Sequence, residues 1–265
     1  MDDSRYSRQI SLENFGQSAK LLRQAAVAVV GAGGVAASLL PLLAGAGVGK
    51  IKLCDFDAVS LSNLHRQTLY TEAEIGRNKA LAAAARLAAI NSEIAIEARP
   101  DKLTATEEIS EFIAGADLCI TATDTFESRR NISLACAAND TREISCTAGG
   151  FTAQLFEFGH SFTFADIAPD DNAPDAKNLP IFAPAAHLSG VWGAGKALRI
   201  LAQVENFPPG YFQSYDFASN IYYSSILSRY GKARGRGVCP CTSPPSAAFV
   251  LLPLPTSALA GPIAC

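Results

Sequence analysis

The chain contains no apolar run of about 20 residues, the length a helix needs to cross a bilayer. Its N-terminus, MDDSRYSRQ, is polar and acidic, unlike the basic start and apolar stretch of a secretory signal. No basic excess marks it for nucleic acid, because 22 Lys and Arg stand against 25 Asp and Glu. The seven cysteines, Cys54, Cys119, Cys136, Cys146, Cys239, Cys241 and Cys265, lack the spacing of a disulfide framework. Cys54 and Cys119 fall in apolar strand patterns and Cys136 in a helical one, where a thiol serves as a small buried hydrophobe. What is present is a chain of 265 residues, 49% hydrophobic, long enough to bury a sizeable core as one large domain. With neither signal nor span, the cytoplasm is the expected location.

Strand and helix patterns alternate, as in a doubly wound, Rossmann-like α/β sheet. The spacing predicts helix over 13–25, strand 27–31, helix 34–46 with Pro41 inside it, strand 50–55, an Ala-rich helix over 72–90 and strand 94–100. Helix 105–115, strand 117–123, helix 126–139 and strand 142–148 follow. Then the period changes, and QLFEFGHSFTF (154–164) alternates like half-exposed antiparallel strands. Residues 165–185, rich in Asp and Pro, read as a loop, with a helix following Ser189. The run RYGKARGRG (229–237) reads as a solvated turn or a grip for an acidic partner. From Thr242 the chain reads as a Pro/Ala-rich tail, giving one domain over 1–241 and a tail over 242–265.

Residues 27–79 carry the chemistry. VAVVGAGGVA reads as a buried strand running into Gly31, Gly33 and Gly34 and then a helix, a turn that presents backbone N–H groups to a phosphate. Alone, such a turn most often means a dinucleotide cofactor, and sometimes only close helix packing. Asp55 ends the next strand, where a carboxylate can accept hydrogen bonds from ribose hydroxyls. A nicotinamide enzyme fits equally well to this point. Asn63, Arg66, Gln67 and Lys79 then place two cations beside a nucleotide, which hydride transfer does not need and a triphosphate does. Arg suits bidentate phosphate contact and Lys a point-charge contact. Asp124 falls at the carboxyl end of its strand, where open parallel sheets bind ligands, and could also cap the helix starting near Phe126. Asp57 caps or lines the same place. Arg8, by pattern alone, is a solvated cation.

Five motifs in order, RYSRQI (5–10), GAGGVA (31–36), DFDAVSLSNLHRQ (55–67), GRNKA (76–80) and TATD (121–124), resemble the adenylyltransferases of the MoeB, ThiF and HesA family, relatives of the ubiquitin-activating enzymes. The resemblance runs from Arg5 to about Cys241. It implies a mostly parallel sheet continued by antiparallel strands, and a reaction in which a carboxylate oxygen attacks the α-phosphorus of ATP and pyrophosphate leaves. In those terms Gly31, Gly33, Gly34, Asp55, Asp57, Asn63, Arg66, Gln67 and Lys79 bind ATP, with Asp55 on the ribose. Asp124 coordinates Mg²⁺, and Arg8 reaches the neighbouring subunit's site, so a homodimer is implied. The substrate implied is the C-terminal carboxylate of a ubiquitin-like sulfur-carrier protein, typically ending Gly-Gly. A peptide or small acid activated in natural-product or modified-nucleoside biosynthesis is the alternative. A dinucleotide-binding oxidoreductase, resting on the glycine turn and Asp55, is the third reading.

Relatives that hold structural zinc do so with two Cys-x-x-Cys pairs. This chain has Cys239 and Cys241, spaced Cys-x-Cys, and ADIAPDDNAPDAKN (165–178) in place of the first pair, so no zinc is expected. Residues 151–238 contain no cysteine and Cys146 reads as a buried strand residue, so no thioester is expected there; a tail thiol stays open. The resemblance places a crossover for the substrate tail at 165–185. His187 and Trp192 are expected in core or dimer surface, and His65 is given no role.

Overall fold

Three parallel apolar strands near the middle of the sheet divide their alternate residues between two different cores. The computed structural model describes residues 3–13, 15–168, 179–204, 210–226 and 234–235. In β1 (Ala26–Val30), Val27 and Val29 pack with one cluster and Ala28 and Val30 with the other. The same division recurs in β2 (Lys50–Cys54), between Ile51 and Leu53 on one side and Cys54 on the other. It recurs again in β4 (Leu118–Thr121), between Leu118 and Ile120 and Cys119. Helices α3 (Ala36–Gly45), α4 (Lys79–Ile90) and α7 (Ala183–Leu201) cover the first face. The second is covered by α5 (Thr106–Ile113) and α6 (Phe126–Ala138). Two short N-terminal helices, α1 (Ser7–Ile10) and α2 (Ser18–Gln24), precede the sheet.

With β3 (Ala95–Arg99), β5 (Glu143–Gly149), β6 (Thr152–Phe158), β7 (Tyr211–Asp216), β8 (Ile221–Ile226) and β9 (Arg234–Gly235), the strand order is 3-2-1-4-5-6-7-8-9. Pairs from β3 to β5 are parallel and those from β5 to β9 antiparallel. The order reverses between β1 and β4, so a crevice opens at their carboxyl ends. No helix among the described residues is long and apolar enough to cross a membrane.

Several boundaries differ from the sequence expectation. The helix expected over 13–25 is α2 alone, seven residues long. The Ala-rich helix does not run from 72. Thr71 and Glu74 close a capping box on a 3₁₀ turn, and α4 begins at Lys79, where the Asn78 side chain accepts from Leu81 N at 3.1 Å. The segment expected as half-exposed strands is β6, buried at nearly every position. It lies inside the sheet, with α7 on one face through Ser189 Oγ donating to Gln154 O at 2.8 Å. Phe156, Phe158 and Phe212 gather in a separate aromatic cluster. After Phe158 the chain turns on mutual Gly159–Phe162 bonds and does not form a second strand.

The last long helix starts at Ala183, six residues before Ser189, with Pro184 in its first turn. It packs so closely that a Cβ on Gly190 would stand 2.2 Å from Val35 O. Its Lys196 pairs with the fully buried Glu157 at 3.1 Å and lies 4.1 Å from the Tyr211 ring centroid, while Arg142 takes the other carboxylate oxygen. Cys239, Cys241, Cys265 and the tail from Thr242 lie outside the described residues, as do most of 165–178 and 229–237.

Candidate nucleotide site

Gly31 follows β1 with φ +102°, and a Cβ there would meet Ala122 O at 2.5 Å, so only glycine fits. The turn is latched by Asp55 at the end of β2, whose Oδ2 accepts from Ala32 N at 2.6 Å and Oδ1 from Asp57 N at 2.8 Å. Each oxygen keeps a further lone pair for a ligand. Burial pushes the Asp55 carboxyl above its ordinary range, while Lys79 and the two N–H bonds pull it back.

Lys79, the first residue of α4, is almost wholly buried and its Nζ pairs with Asp57 Oδ2 at 2.9 Å. Asn78 fixes that helix start by donating to Asp55 O at 2.9 Å, and Tyr70 spans the two motifs by donating to Ala32 O at 2.8 Å. Arg66 donates through Nη2 to Asn63 Oδ1 at 3.0 Å, and its stem lies against Gly34. Burial lowers its pKa, opposed by Asp124, and a guanidinium stays charged regardless. Gln67 is buried with its Oε1 lacking a hydrogen-bond partner among the described residues, and Thr123 Oγ1 is in the same state. Both residues border one cavity, so a ligand there has buried polar atoms to satisfy.

These elements enclose a cavity of about 350 Å³ at the switch point. It is bordered by the glycines at 31, 33 and 34, by Asp55 and Asp57, by Asn63, Arg66 and Gln67, and by Lys79 and Asp124. Arg8 does not border it. It stands exposed on α1, although its neighbours are anchored, with Gln9 Nε2 donating to Ala46 O at 3.2 Å and Tyr6 OH to Glu93 Oε2 at 3.1 Å. Asp124 is not the cap of α6. Thr125 is, accepting from Ser128 N at 3.2 Å, so the Asp124 carboxylate is left to the cavity.

Two functional-looking residues escaped the sequence reading. Arg129 donates from Nε and Nη2 to Thr123 O at 3.0 and 2.8 Å and from Nη2 to Thr147 Oγ1 at 2.5 Å, tying the end of β4 to β5. The helical period could have found it, because Phe126, Arg129, Ile132 and Cys136 share the buried side of α6. Glu143 is fully buried on β5 and accepts from Thr121 Oγ1 at 2.6 Å. Burial pushes its carboxyl from 4.5 up to about 7, opposed by that hydrogen bond. The fold therefore holds this proton more tightly than the unfolded chain. Its stabilising contribution is full below the unfolded value and is lost as pH rises through about 7. Urea unfolding should show the wild type losing on the order of 3 kcal/mol between pH 5 and pH 8 through this group. Glu143→Gln should flatten that dependence, and an unchanged profile would remove Glu143 as its source.

A glycine turn latched by a strand-end carboxylate, with two cations on one cavity at a sheet's switch point, defines an α/β nucleotide-binding protein equipped for a polyphosphate. The chain belongs to the ThiF family, whose model matches residues 6–234. It is 33% identical over 244 residues to the sulfur carrier protein ThiS adenylyltransferase of Escherichia coli (strain K12), covering 90% of this chain and 95% of that protein. It is 34% identical over 224 residues to the molybdopterin-synthase adenylyltransferase of Salmonella typhimurium (strain LT2), covering 80% and 87%. Among solved structures, Escherichia coli MccB with ATP aligns at a TM-score of 0.74 over 91% of this chain and 74% of that one, at 20% identity. That likeness is one of fold. Family membership replaces the oxidoreductase reading that the glycine turn and Asp55 alone leave open.

Proposed function

We propose that this chain transfers AMP from ATP to the C-terminal carboxylate of a small ubiquitin-like sulfur-carrier protein. The observation that carries the reading is the meeting of Arg66, Lys79 and Asp124 with the glycine turn on one cavity. The substrate class comes from relatives named as adenylyltransferases for a sulfur carrier and for molybdopterin synthase.

The attacking carboxylate is an anion at neutral pH, so no general base is required. Catalysis then rests on alignment and on neutralising charge at the transferring group. In this reading Asp55 holds the ribose, Asn63 and Gln67 orient phosphates, and Arg66 and Lys79 take up charge as pyrophosphate leaves. Asp124 suits a magnesium ion, since a single carboxylate completed by phosphate oxygens is an ordinary way to hold one. No hydrogen bond or ion pair engages it among the described residues. Bound there, the ion would offset negative charge on the phosphates. Arg8 supplies a further cation from the second subunit of a homodimer.

The acyl partner's tail would enter past Leu179 and Ile181, which border the cavity. Beside them Phe151 and Phe182 stand exposed with ring centroids 5.1 Å apart, and Phe217 lies 5.4 Å beyond Phe182, an apolar surface for the carrier's body. The product is a released acyl adenylate. Cys146, the cysteine on β5, is buried and its thiol pushed up to about 12 by that burial, which leaves little thiolate for a covalent step. The test is ATP–pyrophosphate exchange with a carrier ending Gly-Gly, followed by mass spectrometry. Exchange that needs the carrier, with an increment of AMP on it, is expected. Exchange supported by a small acid but not by a carrier would redirect the substrate assignment.

A further inference from the structure

Two histidines outside the cavity hold Arg66 from opposite ends. His65 Nε2 lies 2.8 Å from Arg66 Nη1, and His187 Nε2, on α7, lies 3.0 Å from the main-chain oxygen of Arg66. The donor rules fix both rings. A guanidinium has only donors, so His65 Nε2 must present a lone pair and its proton sits on Nδ1. A carbonyl only accepts, so His187 Nε2 must carry hydrogen. With Asn63 Oδ1 on Nη2, the side chain is held at two nitrogens, and three of its five N–H groups remain for a phosphate. His187 is itself fixed, because its own carbonyl accepts from Ser38 Oγ of α3 at 2.8 Å. The Arg66 stem has little room to shift, as a Cβ on Gly34 would come within 3.2 Å of its Cγ.

Resting on the reading of Arg66 as a phosphate cation, we infer that His65 and His187 are positioning residues that set its guanidinium for ATP. A free arginine side chain has several rotors to immobilise on binding, and holding it beforehand removes that cost. His187 also joins the two substrate sides of the site. It lies in the second turn of α7, which begins two residues after Ile181 on the cavity border. Where the acyl tail enters and where the phosphates are gripped are thus linked through one imidazole.

The test is calorimetric titration of the full chain with ATP. His65→Leu and His187→Leu should each weaken ATP about fivefold, the worth of one hydrogen bond. His65→Gln restores an acceptor and His187→Gln a donor, and both should bind within about twofold of wild type. In an Arg66→Ala background the leucine changes should cost nothing further, a result that a general packing role would not produce. Leucine variants that bind like wild type overturn the inference, as do variants that lose as much without Arg66 as with it. A wild type that binds no ATP overturns the nucleotide reading and this inference together.

Discussion

Lys79→Met should lower the rate of adenylation by about 10²- to 10³-fold, the cost of removing one preorganised charge from a developing anion, while the protein still folds. Methionine keeps most of the buried stem, so the loss is that of the ammonium. Its partner Asp57 has a half-exposed carboxylate, which water can serve once the pair is broken, so no charge is stranded in the interior. The second consequence falls on Asp55. Lys79 is the foremost influence opposing the burial that raises the Asp55 carboxyl, and without it that group protonates at higher pH still. A protonated Asp55 accepts poorly from ribose hydroxyls, so the variant's ATP affinity should fall more steeply than the wild type's as pH is lowered. Pyrophosphate exchange, thermal melting and ATP titration at two pH values measure the three effects. Wild-type exchange rates in the variant would take Lys79 out of the chemistry.

The half of the site around the glycine turn was legible because it is written contiguously. A strand end, a glycine turn and a polar run lie within residues 27–79, and each needs particular residue types whatever the rest of the chain does. What escaped came from elsewhere in sequence. Arg129 sits in the polar run FESRRN, and its partners, the Thr123 carbonyl and the Thr147 hydroxyl among them, come from other elements. His187 and Lys196 lie on a helix whose apolar, glycine-rich pattern speaks of packing, and their partners Arg66 and Glu157 are supplied by other elements. Strand β6 was misjudged because alternation signals one wet face only when a sheet is covered on one side, and here both sides are covered. In α4 the run of alanines masked a true boundary, since propensity alone cannot outweigh the cap at Asn78 that turns Lys79 into the cavity.

Arg8→Ala should reduce adenylation by about 10³-fold, in the range known for an arginine supplied to a phosphoryl group in trans, with little change in melting temperature. The side chain is exposed, so its loss opens no void in the core. Yet the segment that carries it is not loose. Asn91 Nδ2 donates to Tyr6 OH at 2.9 Å and to Ala44 O at 2.8 Å, and Arg5 Nη1 donates to Ile90 O at 3.1 Å, so the short helix bearing Arg8 is pinned to the body of the protein. In the proposed homodimer, a cation held there, away from its own cavity, would serve the second copy. The decisive measurement mixes Arg8→Ala with Asp124→Asn, each inactive alone. In a two-fold dimer with shared sites, each heterodimer regains one site built from the intact Asp124 of one chain and the intact Arg8 of the other. Random exchange of subunits would then restore about a quarter of all sites. If Arg8 acts within its own chain, every site in the mixture stays defective and the rate remains at the level of the separate variants.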